Sequence, residues 1–189
     1  GEASRLAAQS GAHAEAVWLT DKAEADGLNQ LAEWGAERIW LIENPALTPY
    51  RGEVWAPVVA ELAAKGEPKA IFGAVTSRQR ELMARLAARL GVGLSADSVA
   101  FSLQDGNLIA TRPVYAGKLL SKVTWAKPPW LATLRPNVFK PADPQPGKAP
   151  RVERPAVTIP RPMMAIDERR EEVSTGIPEL TEAAVVVSG

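Results

Sequence analysis

The first ninety residues alternate short apolar runs with amphipathic ones, and this alternation restricts the fold more than any other feature of the chain. Residues 15–19 (EAVWL), 38–42 (RIWLI) and 69–75 (KAIFGAV) are near-continuous apolar runs of strand length. Between them, residues 26–34 place Leu28, Leu31 and Ala32 on one helical face, with Gly35 positioned to end the helix. Residues 53–65 carry Val54, Val58 and Leu62 at four-residue spacing and close at Gly66, and Pro57 fits such a helix only near its first turn. Residues 77–90 set Leu82, Met83, Leu86, Ala87 and Leu90 on one side. Strands that are apolar throughout are buried on both faces. The expectation is therefore an α/β fold: an open, mainly parallel sheet with helices on both faces, a Rossmann-type three-layer arrangement.

The pattern then changes. Residues 97–103 alternate Val99, Phe101 and Leu103, and Asp105-Gly106 follows as a hairpin turn. Residues 107–112 return, 117–126 run outward again, and 130–135 give one more short strand, so a β-rich antiparallel second half is expected. Beyond it, nine of the sixteen prolines lie between Pro136 and Pro178. Such a stretch resists sheet pairing and buries little apolar surface. The domains read as 1–136, an α/β domain; 137–178, a Pro-rich linker with a short charged helix near Ile166–Val173; and 179–189, a fresh apolar strand (LTEAAVVVSG) of the kind that opens a new domain. The opening GEASRLAAQSG reads as a helix entered partway along.

Composition removes whole classes of chemistry. There is no cysteine, so disulfides, thiolate nucleophiles and Cys-ligated metal sites are excluded. His13 is the only histidine and sits in a small, polar loop without a visible orienting partner. Lys plus Arg equals Asp plus Glu at 22 each, which gives no long-range pull toward nucleic acid. No run approaches the roughly 18 apolar residues of a membrane span. Paired carboxylates, a metal-ligand spacing and a nucleophile elbow are all missing, so no catalytic residues are assigned.

Two stretches stand out as candidate sites. The first is the strand-to-helix loop Thr76-Ser77-Arg78-Gln79-Arg80, where free N–H groups and two arginines could meet an anion. The same Thr76-x-x-Gln79 spacing equally describes a capping box that satisfies those N–H groups internally. The helix also carries Arg85 and Arg89. Glu81 four residues before Arg85 suits an ordinary solvated face, and no aromatic lies among the arginines to stack on bases. The second stretch is RPVYAGK, residues 112–118. Pro113 lacks an N–H and favours a strand end or edge, and Gly117 can take a positive φ in the reversal. Arg112 and Tyr115 are left with polar tips, as an arginine–carbonyl tether or a surface for another subunit. Trp125 and Trp130, flanking Lys127-Pro128-Pro129, mark a second candidate surface patch.

GLSADSVAF (93–101), RPVYAGK (112–118) and TLRPNVF (133–139), with the helix ARLAARLG (84–91) and the terminal PELTEAAVVVSG (178–189), resemble the alpha subunit of electron transfer flavoproteins. The resemblance covers residues 70–136 and 178–189. It implies the N-terminal domain of that subunit, an adenine-nucleotide-hydrolase-like fold that generally holds no nucleotide. It implies FAD in the complete heterodimer, bound mainly by the second alpha domain, and allows AMP or a second FAD in the beta subunit. No cofactor contact is expected within these residues. The implied partners are the electron transfer flavoprotein beta subunit, a donor dehydrogenase and an electron acceptor. The implied setting is electron transport, including fatty acid beta-oxidation, in a bacterial cytoplasm more than a mitochondrial matrix. Arg112, Tyr115, Gly117, Lys118 and Arg135 become the candidate subunit or domain interface, and Thr76, Ser77, Arg78 and Arg80 remain a weaker anion site. Lys118 stands where many members have Asn, and Arg78-Gln79-Arg80 departs from their Gly-Arg or Gly-Lys pair. Members normally open with an apolar strand before the first helix, so the native chain is expected to extend at both ends. The competing reading is a free-standing adenine-nucleotide module of the universal-stress type, which would need a Gly-rich phosphate loop that this sequence does not display.

Overall fold

The computed structural model describes residues 1–168, 170, 183 and 185–187. In chain order the elements are α1 (Glu2–Ser10), β1 (Glu15–Thr20), α2 (Ala25–Glu33), β2 (Arg38–Glu43), a 3-10 turn (Pro45–Leu47), α3 (Gly52–Gly66), β3 (Ala70–Ala74), α4 (Ser77–Leu90), β4 (Leu94–Ser98), β5 (Ala100–Gln104), β6 (Asn107–Val114), β7 (Leu119–Val123), β8 (Trp130–Leu134) and β9 (Val152–Glu153). The mixed α/β class expected from the alternation is the one observed. Pro57 lies inside α3, just past its first turn. The residues read as one strand over 97–103 break into β4 and β5 at Val99, because Asp97 takes a left-handed φ of 58°.

The strands form three sheets of three. Two are parallel, in the orders β1-β2-β9 and β3-β8-β4, and β5-β6-β7 is an antiparallel meander. The side chains of β8 show the layering, since neighbouring residues on a strand point to opposite faces. Leu131 joins the core formed with α3 and α4, among Val58, Leu62, Met83 and Leu86. The next residue, Ala132, joins a second core with Leu6 of α1, Phe101 and Leu108. Helices α3 and α4 therefore cover one face, and α1 with the meander covers the other. Phe101 makes an edge contact with Phe72 at 5.2 Å and stacks on Phe139 at 5.6 Å. Arg5 ties α1 to the meander by donating to the Phe101 carbonyl at 3.0 Å.

The Pro-rich segment departs from expectation in its middle. Val152 and Glu153 pair with Ile39 and Trp40 as an edge strand, so this part of the segment does enter a sheet. The chain then runs antiparallel along α3. Lys65 donates to the Ala156 carbonyl, Glu61 accepts from the Thr158 N–H at 2.9 Å, and Glu53 accepts from the N–H groups of Met163 and Met164. Val157 and Ile159 pack on the α3–α4 core. Prolines discourage a ladder, but they leave room for three carboxylate or ammonium tethers and two partly buried aliphatics, which together hold this strap. The expected charged helix near residues 166–173 and the strand at 179–189 fall largely outside the described residues.

Candidate functional site at the carboxyl rim of the sheet

Strands β3, β4 and β8 end together, and the loops beyond them hold most of the residues singled out by sequence. At the start of α4, Thr76 is the N-cap: its hydroxyl oxygen accepts from the Gln79 N–H at 3.2 Å. Gln79 does not complete a reciprocal box. Its side-chain oxygen lies over Gly73, where an added Cβ would come within 2.8 Å of it. One of the free N–H groups of the helix start is therefore satisfied internally. Arg78 is turned away from it, with its guanidinium 5.9 Å from the centre of the Tyr50 ring, while the Tyr50 hydroxyl donates to the Arg78 carbonyl at 3.0 Å. Burial, reinforced by Glu81, pushes the Tyr50 hydroxyl up to about 12.

Arg80 belongs to a different group, centred on Asp97. Arg135 grips the Asp97 carboxylate with two N–H donors, at 3.0 and 2.5 Å, the fork-to-fork geometry that makes such pairs strong and directional. This hydrogen bonding and the charge of Arg135, with further pull from Arg80 and Arg112, hold the Asp97 carboxyl below its usual range. The left-handed turn at Asp97 is fixed from beneath. Its N–H donates to the Thr133 hydroxyl at 2.9 Å, and the Ser95 and Ser98 hydroxyls meet at 3.0 Å in the same buried patch. Pairing between β4 and β8 skips between Ser95 and Ser98, so the loop bulges outward and presents Asp97 to Arg135. Three arginines around one carboxylate leave this patch with a net positive charge.

Arg112 makes no carbonyl tether, contrary to expectation: its Nε is buried without a hydrogen-bond partner among the described residues. The β5 ladder ends at Thr111, so β6 overruns its neighbour. That overrun explains Pro113. It pairs with Leu120 of β7 and needs no N–H on its other side, which is locally an edge. Beyond it, Tyr115, Ala116 and Gly117 all take positive φ, at 52°, 54° and 86°. The Gly117 N–H donates to the Val114 carbonyl at 3.1 Å, closing a turn whose two central residues, Tyr115 and Ala116, are both left-handed. Sequence reasoning placed the left-handed residue at Gly117 and missed the other two. Tyr115 is 76 % exposed and Leu119 and Leu120 are 59 % and 67 % exposed, so the hairpin end shows apolar surface next to Lys118.

The other candidates resolve into structural roles. Trp125 is half-buried and donates to the Gly93 carbonyl at 2.8 Å, and Trp130 packs on the second core, so this pair is no exposed patch. His13 has a partner that sequence did not reveal, Glu37 at 2.6 Å, and the imidazole holds the Glu37 carboxyl low. No group of acidic and histidine side chains that could hold a metal ion occurs among the described residues, and no helix there is long and apolar enough to cross a membrane.

Comparison with known proteins identifies the family. The model of the electron transfer flavoprotein domain matches residues 1–160. The electron transfer flavoprotein subunit alpha of Bacillus subtilis is 28 % identical over 160 residues, covering 85 % of this chain and 49 % of the relative. Protein FixB of Clostridium saccharobutylicum is 35 % identical over 143 residues, covering 74 % and 42 %. Protein FixB of Rhizobium meliloti is 32 % identical over 182 residues, covering 94 % and 49 %. The chain thus spans about half the length of these relatives. With its three-layer architecture and these matches, the chain belongs to the electron transfer flavoprotein domain family.

Proposed function

We propose that this chain is the N-terminal domain of an electron transfer flavoprotein alpha subunit, and that its work is to scaffold an alpha–beta heterodimer. In that complex FAD, held outside these residues, accepts electrons from a dehydrogenase and passes them to an acceptor. The domain carries no catalysis of its own. The observation that supports this role most is the β6–β7 hairpin end. An exposed tyrosine and an alanine, residue types that disfavour it, are held left-handed there by the hairpin turn, and such strain collects where a surface is shaped for a partner. Tyr115, Leu119 and Leu120 form the apolar centre of the contact, with Lys118 and the Arg80–Arg112–Arg135 group as its basic margin. The beta subunit should meet it with acidic residues. Bacterial relatives named as alpha subunits and as FixB favour a bacterial cytoplasmic setting.

The test is to purify the native protein and record its visible absorption spectrum. Flavin bands that travel with a second subunit support the proposal. A colourless protein without a partner, purified from a host that contains flavin, would sink it.

A further inference from the structure

The antiparallel meander has one outer strand tied down by a helix and one left bare. At β5, α1 packs alongside, and its Arg5 donates to the Phe101 carbonyl at 3.0 Å. β7 pairs with β6 alone, in unbroken register from Val114↔Leu119 to Ala110↔Val123. In a strand with one neighbour, alternate residues turn their N–H and C=O groups outward. Those of β7 meet no other strand among the described residues. Natural edges are guarded by a proline, a bulge, charge or a cover. Over Leu119–Val123 there is neither proline nor bulge, and Lys122 is the one charged side chain. Leu119 and Leu120 point to opposite faces of the sheet and are both exposed.

Charge decides which occupant fits this edge. The chain is neutral overall, yet from Gly106 to Ala142 it carries Arg112, Lys118, Lys122, Lys127, Arg135 and Lys140 and not one Asp or Glu. A second copy of this chain would set lysine-bearing edges against each other, and like charges across a strand pair destabilise it. A polyanion such as nucleic acid supplies acceptors alone and leaves the outward carbonyls unmatched. Another β-strand matches both the N–H and the C=O groups.

We infer that β7 receives a fourth strand from the partner subunit, an extended segment matching the five residues of β7, with acidic side chains beside Lys118 and Lys122 and apolar ones beside Leu119 and Leu120. This rests on the heterodimer proposed above for the identity of the partner. It adds the mode of contact, a sheet continued across the subunits by backbone hydrogen bonds.

Hydrogen exchange of the complete alpha subunit, free and in the complex, tests this. The β7 amides that point away from β6 should exchange at least about tenfold more slowly in the complex. Unchanged exchange across residues 119–123 in a complex that does form overturns the inference and leaves the heterodimer standing. Failure of any complex to form removes both. Photoreactive benzoylphenylalanine in place of Leu120 then identifies the occupant. A cross-link to an Asp- or Glu-bearing segment of the partner subunit supports the inference. Capture of a second copy of this chain, of another segment of the same chain, or of nucleic acid overturns it.

Discussion

Replacing Tyr115-Ala116 by Asn-Gly should stabilise the free chain, although it removes an aromatic side chain. Tyr115 and Ala116 sit at φ 52° and 54°. An L-residue in this region costs roughly 1–2 kcal/mol, so the pair carries about 2–4 kcal/mol of strain. Asn tolerates the conformation better than Tyr, and Gly adopts it freely but loses about 0.5–1 kcal/mol more conformational entropy on folding. Little is lost in exchange, because Tyr115 is 76 % exposed and its hydroxyl donates no hydrogen bond among the described residues. The net gain is about 1–2 kcal/mol, which raises Tm by roughly 2–8 °C for a chain of this size. Thermal and urea unfolding of parent and variant would measure it, with equal m-values confirming that only stability changed. A variant that is less stable than the parent would refute the reasoning. It would mean that Tyr115 makes stabilising contacts in the free chain and that the left-handed pair is not strained.

Three further outcomes follow from the packing and charge. Leu86 is fully buried between α4 and the sheet, so Leu86→Ala should destabilise by about 2–5 kcal/mol in denaturant unfolding. The Asp97 carboxyl is depressed by Arg135, so its contribution is present above the unfolded value of 3.8 and is lost as pH falls through the lower folded value. Asp97→Asn should therefore lower stability at neutral pH, and the difference from the parent should shrink below about pH 4, as pH-dependent unfolding would show. Ile159→Asp puts a charge where the strap packs on the α3–α4 core, so thermolysin should cut before Val157 and Met164 faster than in the parent, as mass spectrometry would reveal.

The parts of the fold that sequence disclosed are those decided by local periodicity. Helix α4 spans residues 77–90 as its apolar spacing predicts, and β1, β2 and β3 lie where the apolar runs put them. What stayed hidden depends on partners far along the chain. β8 inserts between β3 and β4, a pairing across dozens of residues that no local pattern encodes. The break between β4 and β5 is set by Asp97, whose left-handed turn is held by Thr133 and Arg135, about three dozen residues away. At the rim, Gly117 was legible because glycine favours positive φ. Tyr115 and Ala116 were not, because hairpin register rather than residue type imposes their conformation. The strap over α3 was concealed by its prolines, though Val152, Val157 and Ile159 were an apolar signal within it.

The central claim is that the hairpin end and its basic margin hold the alpha–beta heterodimer together. Its most direct test is the dissociation constant of the native complex, measured by sedimentation for the parent and for Tyr115→Ser combined with Lys118→Glu. The account predicts at least about tenfold weaker association, as expected when a central aromatic and a rim charge are altered, with unfolding of the free chain nearly unchanged. Association as tight as that of the parent, by a variant equally well folded, would contradict it.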